Sequence, residues 1–334
     1  VKVHCDFPHT APVGADYPVL TLGVFDGVHL GHRRILERLL AVAAGRPAAV
    51  VTFDPHPRAV LGPPKAHRLL SPIDERLDLL AEWPLAATVV LRFDASVARL
   101  SYVEFVRDCL VGQLGARHLV LGFDTRLGHD RGGTPERLID LGHEAGYEVE
   151  RVDAVRVGDE VVSSTAVRHL LDAGEVEPAA RLLGRPYGLR GEVVRGAGRG
   201  RGLGIPTANL AIAAGKLVPA DGVYAARVRA RGRDWAGAVN IGGAPTFAGP
   251  GGRTVEVHLV GFDGDLYGDR VELWLLRRLR EERRFQDVEA LVTQVRADIE
   301  SARRVVAEDA PGFGAAASGG TPGAPPGQST PSNS

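Results

Sequence analysis

Methionine is missing from all 334 residues, position 1 included. An alternative start codon read literally, or a trimmed terminus, would explain the opening Val1, so the first ~15 residues carry little structural weight. Cysteine is nearly as scarce. Cys5 and Cys109 stand alone, without the paired spacing of a zinc site or the dense usage of a secreted disulfide framework, and both read as free thiols. No apolar run approaches the roughly 18 residues of a spanning helix. The opening VKVHCDFPHT lacks a basic stretch followed by an apolar one, so no secretory signal is read. A cytoplasmic location is expected, with no membrane partner. Blocks of like charge are also absent, and a formal net charge of -1 gives no whole-molecule attraction to nucleic acid. Any anionic ligand must be bound locally.

What is present suits a packed enzyme. A chain of this length has room for two cores of roughly 100–200 residues each. Hydrophobic residues at 44% and charged residues at 24% sit near the averages for soluble globular proteins. From Pro18 to about Val152, short β-branched runs (PVLTLGVF, AAVVTF, ATVVLRF, RHLVLGF, YEVERV) alternate with helical spacing. The helical stretches are GHRRILERLLAVAAG, SPIDERLDLLAEW, SYVEFVRDCLVGQL and TPERLIDLGHEAG. That alternation predicts a parallel sheet with helices on both faces and ligands at the carboxyl ends of its strands. After the helical segment STAVRHLLDAGEVEPAARLLG the character changes. From Pro186, strand patterns bounded by glycines (YGLRGEVVRG, GVYAARVRARG, RDWAGAVNIG, RTVEVHLVGF, DRVELWLL) predict a small antiparallel barrel or sandwich. One amphipathic helix, from about Phe285, closes it. The expected division is 1–184, 185–310 and a disordered tail at 311–334, whose Gly, Ala, Ser and Pro give little to bury.

The first chemistry-bearing stretch is GVFDGVHLGH, Gly23 to His32, between the first strand and first helix. Backbone N–H groups and the positive end of a helix dipole favour phosphate there. If the helix starts near Leu30, His29 and His32 point the same way across its first turn, and Gly27 and Gly31 leave space for a triphosphate. Such a clamp suits adenylyl transfer, in which a phosphate oxygen attacks the α-phosphorus and pyrophosphate leaves. That reaction needs positioning and charge stabilisation rather than a covalent nucleophile. The plainer alternative is a pair of histidines capping a helix and satisfying buried carbonyls.

On these residues the chain resembles the HxGH nucleotidyltransferases, specifically the adenylyltransferase module of prokaryotic bifunctional riboflavin kinase/FAD synthetases. The resemblance implies a Rossmann-like domain in which His29 and His32 are catalytic and Gly23, Phe25, Asp26, Gly27 and Gly31 bind nucleotide. FDPHP resembles the family's second signature, placing Phe53, Pro55, His56 and Pro57 at the flavin end with Asp124. VSSTAVR resembles its SSTxxR signature, so Ser163, Ser164, Thr165 and Arg168 would hold nucleotide phosphates; a plain Ser/Thr helix cap is the alternative. The chain departs from the family in LGFDTRLG, where Thr125 and Leu127 occupy the usual aromatic positions. The ring faces lost there would otherwise pack against flavin.

The second stretch is GRGRGLGIPTANL, Gly198 to Leu210, a glycine-rich loop that resembles the PTAN signature of riboflavin kinases. Gly198, Gly200, Gly202, Gly204 and Pro206 would shape a phosphate cradle, with Arg199 and Arg201 adding charge. Taken alone, such a loop is also what a flexible surface turn looks like. Thr207 and Asn209 lie two apart on extended chain and face one side. Together they offer Mg²⁺ two hard oxygens while ATP supplies the negative charge; solvating a strand end is their other use. In TVEVHLV, Glu256 alternates with buried-type residues. The resemblance makes it general base on the ribityl 5′-hydroxyl; otherwise it is an ordinary solvent-facing carboxylate.

PADGVYA, AVNIGGAPTF, FDGDLYG and LRRLREERRF follow the same module, so the likeness runs from about Tyr17 to Val305. It implies a riboflavin-kinase β-barrel with a terminal helix, ATP and Mg²⁺ as cofactors, and riboflavin, FMN and FAD as substrates and products. Two competitors are a different HxGH transferase, which leaves the second half unexplained, and a non-catalytic flavin sensor. An oligomer is compatible with the sequence but not implied by it.

Overall fold

The computed structural model describes residues 1–12, 14–62, 68–196, 204–243 and 253–309. In the first half, six strands form one parallel sheet: β1 (Lys2–Phe7), β2 (Val19–Leu22), β3 (Ala48–Asp54), β4 (Ala87–Arg92), β5 (His118–Gly122) and β6 (Glu148–Val152), in the order β1-β4-β3-β2-β5-β6. The central strands are continuous apolar runs because helices cover both faces. All four residues of β2 are buried. Connections from β2 run outward through β3 to β4, and the chain then returns to the other side of β2 as β5. The order therefore reverses beside β2, and the crevice at such a reversal is where α/β sheets receive ligands.

The helices of this half are α1 (Leu30–Ala43), α2 (Pro57–Leu61), α3 (Ile73–Ala81), α4 (Tyr102–Glu104), which continues in wider turns over Phe105–Gln113, and α5 (Pro135–Ala145). A two-stranded ribbon of β7 (Arg156–Val157) and β8 (Glu160–Val161) follows. The stretch read as one helical segment is two helices, α6 (Ser164–Asp172) and α7 (Val176–Leu183). Gly174, at φ +79°, makes the break. The opening residues are also better ordered than their sequence implies: β1 pairs parallel with β4 through Lys2↔Ala87 and His4↔Val89.

The second half is a closed antiparallel barrel of six strands: β9 (Tyr187–Val194), β10 (Ala208–Ile212), β11 (Gly222–Ala230), β12 (Arg233–Gly243), β13 (Arg253–Leu259) and β14 (Arg270–Arg280). They close in the order β10-β13-β12-β11-β14-β9. Closure decides between barrel and sandwich, and leaves no unpaired edge. The last helix, α8, spans Val288–Asp309 rather than starting at Phe285. Asp287 explains the later start: its carboxylate accepts from the Ala290 N–H at 2.7 Å. The Phe285 ring instead lies beside the guanidinium groups of Arg280 and Arg283. One apolar core joins the halves, running from Leu70, Val167, Leu171 and Leu183 into Tyr187, Val239, Val257 and Leu273 of the barrel.

Candidate active sites

The loop after β2 leads into α1 at the point where strand order reverses. His29 is the N-cap of α1, and its Nδ1 accepts the His32 N–H at 3.3 Å. With Nδ1 accepting, the ring proton lies on Nε2, so His29 offers a neutral donor. The rings of His29 and His32 stack 3.6 Å apart at 14°, with the buried Phe25 ring 4.9 Å from His32. Burial pushes His29 down to about 4. Burial, then neighbouring His29, Arg76 and Arg185, hold His32 well below the ordinary imidazole range. Both rings are therefore neutral at pH 7. His32 Nδ1 is buried and, among the described residues, has no hydrogen-bond partner. Capping, the plainer alternative for His29, is thus present; it also fixes the tautomer, with Nε2 as the donor.

The glycines have local reasons of their own. A Cβ at Gly27, where φ is +83°, would meet Leu70 Cδ1 at 2.8 Å, and one at Gly31 would press on the His29 ring at 3.2 Å. Packing against Leu70 and His29 thus requires these glycines whatever a triphosphate needs. At Gly23 a Cβ would meet the Phe25 ring at 3.2 Å.

Asp26, also buried, is a hub. Its carboxylate accepts from the N–H groups of Leu70 and Ser71 at 3.1 and 2.8 Å and from Arg168 Nη2, while its carbonyl accepts from Ser164 Oγ at 2.9 Å. Arg168 also donates from Nε to the Arg68 carbonyl at 3.0 Å. Ser163 caps α6 by accepting the Ala166 N–H, and Thr165 is exposed. These contacts tie the SSTxxR-like segment to the HxGH-like loop, so the two signatures form one structure.

In the FDPHP stretch, Phe53 is buried, Pro55 exposed, and His56 caps α2 with Pro57 as its first residue. Asp124 is exposed just beyond β5. Leu127 is buried in the core, whereas Phe123 is 40% exposed. The exposed ring at this rim is that of Phe123. Arg76 escaped the sequence reading because nothing distinguishes it from a surface helical arginine. It is fully buried, donating to Thr52 Oγ1 at 3.0 Å and the Phe53 carbonyl at 2.8 Å.

On the barrel, Thr207 Oγ1 lies 3.5 Å from Glu256 Oε2. Asn209 stands opposite Glu256 in the β10–β13 pairing, and Asn240 stands opposite it on β12. Ala208, Leu210, Val255 and Val257 fill the barrel, so Asn209, Glu256 and Asn240 share its outer face. Asn240 is a neighbour the sequence reading did not single out. His258 donates from Nδ1 to the Pro206 carbonyl at 2.8 Å and anchors the turn into Thr207. A cleft of about 350 Å³, lined by Val193, Gly204, Pro206, Thr207, Asp263 and Tyr267 among others, opens beside them. Thr207 stands between cleft and carboxylate. Gly198, Gly200 and Gly202, with Arg199 and Arg201, lie outside the described residues. Among the described residues no group of three or more His, Cys, Asp or Glu is placed to hold a metal ion, and no helix is long and apolar enough to cross a membrane.

Two family models match, FAD synthetase over residues 15–166 and riboflavin kinase over residues 183–306. Curated relatives include the bifunctional riboflavin kinase/FMN adenylyltransferase of Pseudomonas fluorescens, 41% identical over 87% of this chain and 94% of that one. The protein of the same name from Bacillus subtilis is 35% identical over 86% and 92%. Among solved structures, one titled as a macrolide-efflux protein from Streptococcus pneumoniae is 31% identical, with a TM-score of 0.83, covering 91% of this chain and 99% of its own. Its title is at odds with both family models and the curated relatives, which agree with one another and with the site geometry.

Proposed function

This chain belongs to the family of bifunctional riboflavin kinase/FMN adenylyltransferases, and on that premise we propose how its two reactions are divided. It phosphorylates riboflavin to FMN and adenylylates FMN to FAD, drawing on ATP for both. Residues 1–184 carry the adenylylation and residues 185–310 the phosphorylation, in a cytoplasmic enzyme acting on small molecules. The observation that carries this division is the separation of the two polar sets. His29 and His32 sit at the first turn of α1, beside the parallel sheet, whereas Thr207, Asn209 and Glu256 sit on the barrel.

At the barrel, Glu256 accepts the proton of riboflavin's 5′-hydroxyl as that oxygen attacks the γ-phosphorus and ADP leaves. Thr207 and Asn209 would hold Mg²⁺, whose charge offsets that of the phosphate oxygens; two neutral oxygens beside a carboxylate suit a hard cation that arrives with its nucleotide. At the sheet, an FMN phosphate oxygen attacks the α-phosphorus of a second ATP and pyrophosphate leaves. No proton must be removed from the attacking oxygen. His29 donates from Nε2 to the polyphosphate, and the buried loop keeps that donor fixed and dry.

The test separates the activities. His32→Ala should lower FAD formation by about 100-fold or more while sparing FMN formation. Glu256→Ala should lower FMN formation by about 100-fold while FAD still forms from supplied FMN. Chromatographic separation of flavins after incubation with ATP and Mg²⁺ reads both, and parallel loss of the two activities in either variant would refute the division.

A further inference from the structure

The loop that carries His29 is held under backbone tension. Phe25 and Val28 have φ values of 54° and 39°, and for a β-branched residue such as Val28 this region is a genuine outlier. Such a residue is strained and persists only where the surroundings hold it from several sides. From one side, Arg185 donates to the carbonyls of Gly27 and Val28 at 2.6 and 3.1 Å. From the other, Ser71 Oγ accepts the Gly27 N–H at 2.7 Å while Asp26 gathers the N–H groups of Leu70 and Ser71.

That second strap is fastened to the other half of the molecule. Leu69 donates its N–H to the Gly215 carbonyl at 2.7 Å, and Leu217 returns one to the Leu69 carbonyl at 2.8 Å. Between them, Lys216 Nζ donates to the Leu70 carbonyl at 2.7 Å and meets Glu75 Oε2 at 2.5 Å, 4.5 Å from the centre of the Tyr187 ring. Lys216 is 5% exposed. A fully buried ammonium is expensive, and an apolar side chain of the same length would pack there at less cost. A carbonyl on the strap and a carboxylate on α3 are what its three N–H donors meet instead. The lysine follows β10, the strand that bears Asn209, so the chain of contacts starts in the kinase half and ends on the strained loop of the other.

We propose that Lys216, contributed by the barrel, is a positioning residue for FMN adenylylation: it fixes the Leu70–Ser71 strap, and through Ser71 and Asp26 it holds the Gly27–His29 loop and Arg168 in shape for ATP. The adenylyltransferase site is then incomplete without the kinase half. The proposal rests on the assignment of adenylylation to the His29/His32 site. No direct contact between Lys216 and substrate is involved, so the effect falls on ATP binding at the first site and leaves flavin phosphorylation alone.

The test uses the full chain. Lys216→Met keeps the length and removes the donor; Glu75→Gln with Lys216→Met also removes the carboxylate that the single change would leave without its lysine. In both, the KM for ATP in FAD formation should rise about tenfold, equivalent to about 1.4 kcal/mol. The KM for FMN, and both constants of the kinase reaction, should stay within about twofold of wild type. A lysine that merely supports the fold would move both reactions and their substrates together. An unchanged KM for ATP in the double variant overturns the proposal, as does parallel loss of both activities in it. His32→Ala, run alongside, separates the premise from the proposal. If it abolishes FAD formation while the double variant binds ATP normally, only the role of Lys216 falls; if it leaves FAD formation intact, the site assignment falls and this role with it.

Discussion

A protonated imidazole at the first turn of α1 would be opposed three times over, by burial, by the nearby Arg185 guanidinium and by the positive end of the helix dipole. This sets a pH dependence with a definite sign. His29 titrates near 6.5 when unfolded and at about 4 when folded, so between those values the unfolded chain binds the proton and the native one does not. Stability is complete above about pH 6.5 and falls as pH drops toward 4, by roughly 3 kcal/mol for His29 at about 1.4 kcal/mol per unit, with His32 acting in the same direction. Carboxylates held down by hydrogen bonds, such as Asp130 under the Gly132 N–H, lose stability only below the ordinary range near 4. Urea midpoints at pH 7.5, 6 and 5 should therefore decline, and His29→Ala with His32→Ala should flatten the decline. An equal slope in that double variant would assign the effect elsewhere.

Among the elements, α8 is held to the barrel in part by a buried polar contact. It covers Ala225 with Ala302 and Val305, a small apolar patch for a helix of 22 residues. Asp298, 5% exposed on its inner face, accepts from Arg280 Nε and Nη2 at 3.0 and 2.8 Å and from Gln294 at 2.8 Å. Asp298→Ala leaves a half-buried guanidinium without its partner, and about 3 kcal/mol of destabilisation is expected, with faster proteolysis in the last helix. Limited digestion followed by mass spectrometry checks it; cleavage no faster than in wild type would show that the apolar patch and the Arg227–Asp309 ion pair hold α8 without Asp298. Elements were legible in the sequence where one physical cause dominated. The central strands announced themselves as apolar runs, and β13 as strict alternation, with Val255, Val257 and Leu259 buried and Glu256 and His258 turned outward. Strand β1 was not legible, because five of its six residues keep some exposure and only Phe7 is buried. Nor were the ties that shape the first site. Arg76, Arg185 and Lys216 read as surface cations in any window of sequence, and their burial follows from contacts with distant segments that no local period encodes. The paired histidines and the Thr207, Asn209 and Glu256 set were legible because each signature is short and complete within its own stretch.

At the scale of the whole molecule, the question is whether two catalytic halves unfold as two. Domains joined by a small polar interface move and melt separately by default. Here the boundary near Arg185 is crossed by one continuous core, from Leu70, Val167, Leu171 and Leu183 to Tyr187 and the barrel interior. Ion pairs reinforce it: Arg190 of β9 meets Asp74 and Asp78 of α3 at 2.6 and 2.5 Å, and Lys216 meets Glu75. Opening either half alone would expose that core and strand a buried lysine, so the intermediate is penalised twice and a single cooperative transition follows. Tryptophan placement makes this measurable. Trp83 lies in the sheet half beside Arg33, whereas Trp235 packs edge-on to Phe262 and Trp274 lies beside Arg229 in the barrel. A Trp83→Phe variant reports on the barrel, and a Trp235→Phe, Trp274→Phe variant on the sheet. Their urea midpoints, each corrected against its own circular dichroism curve, should coincide. Transitions separated by about 1 M or more would mean that the shared core does not couple the halves.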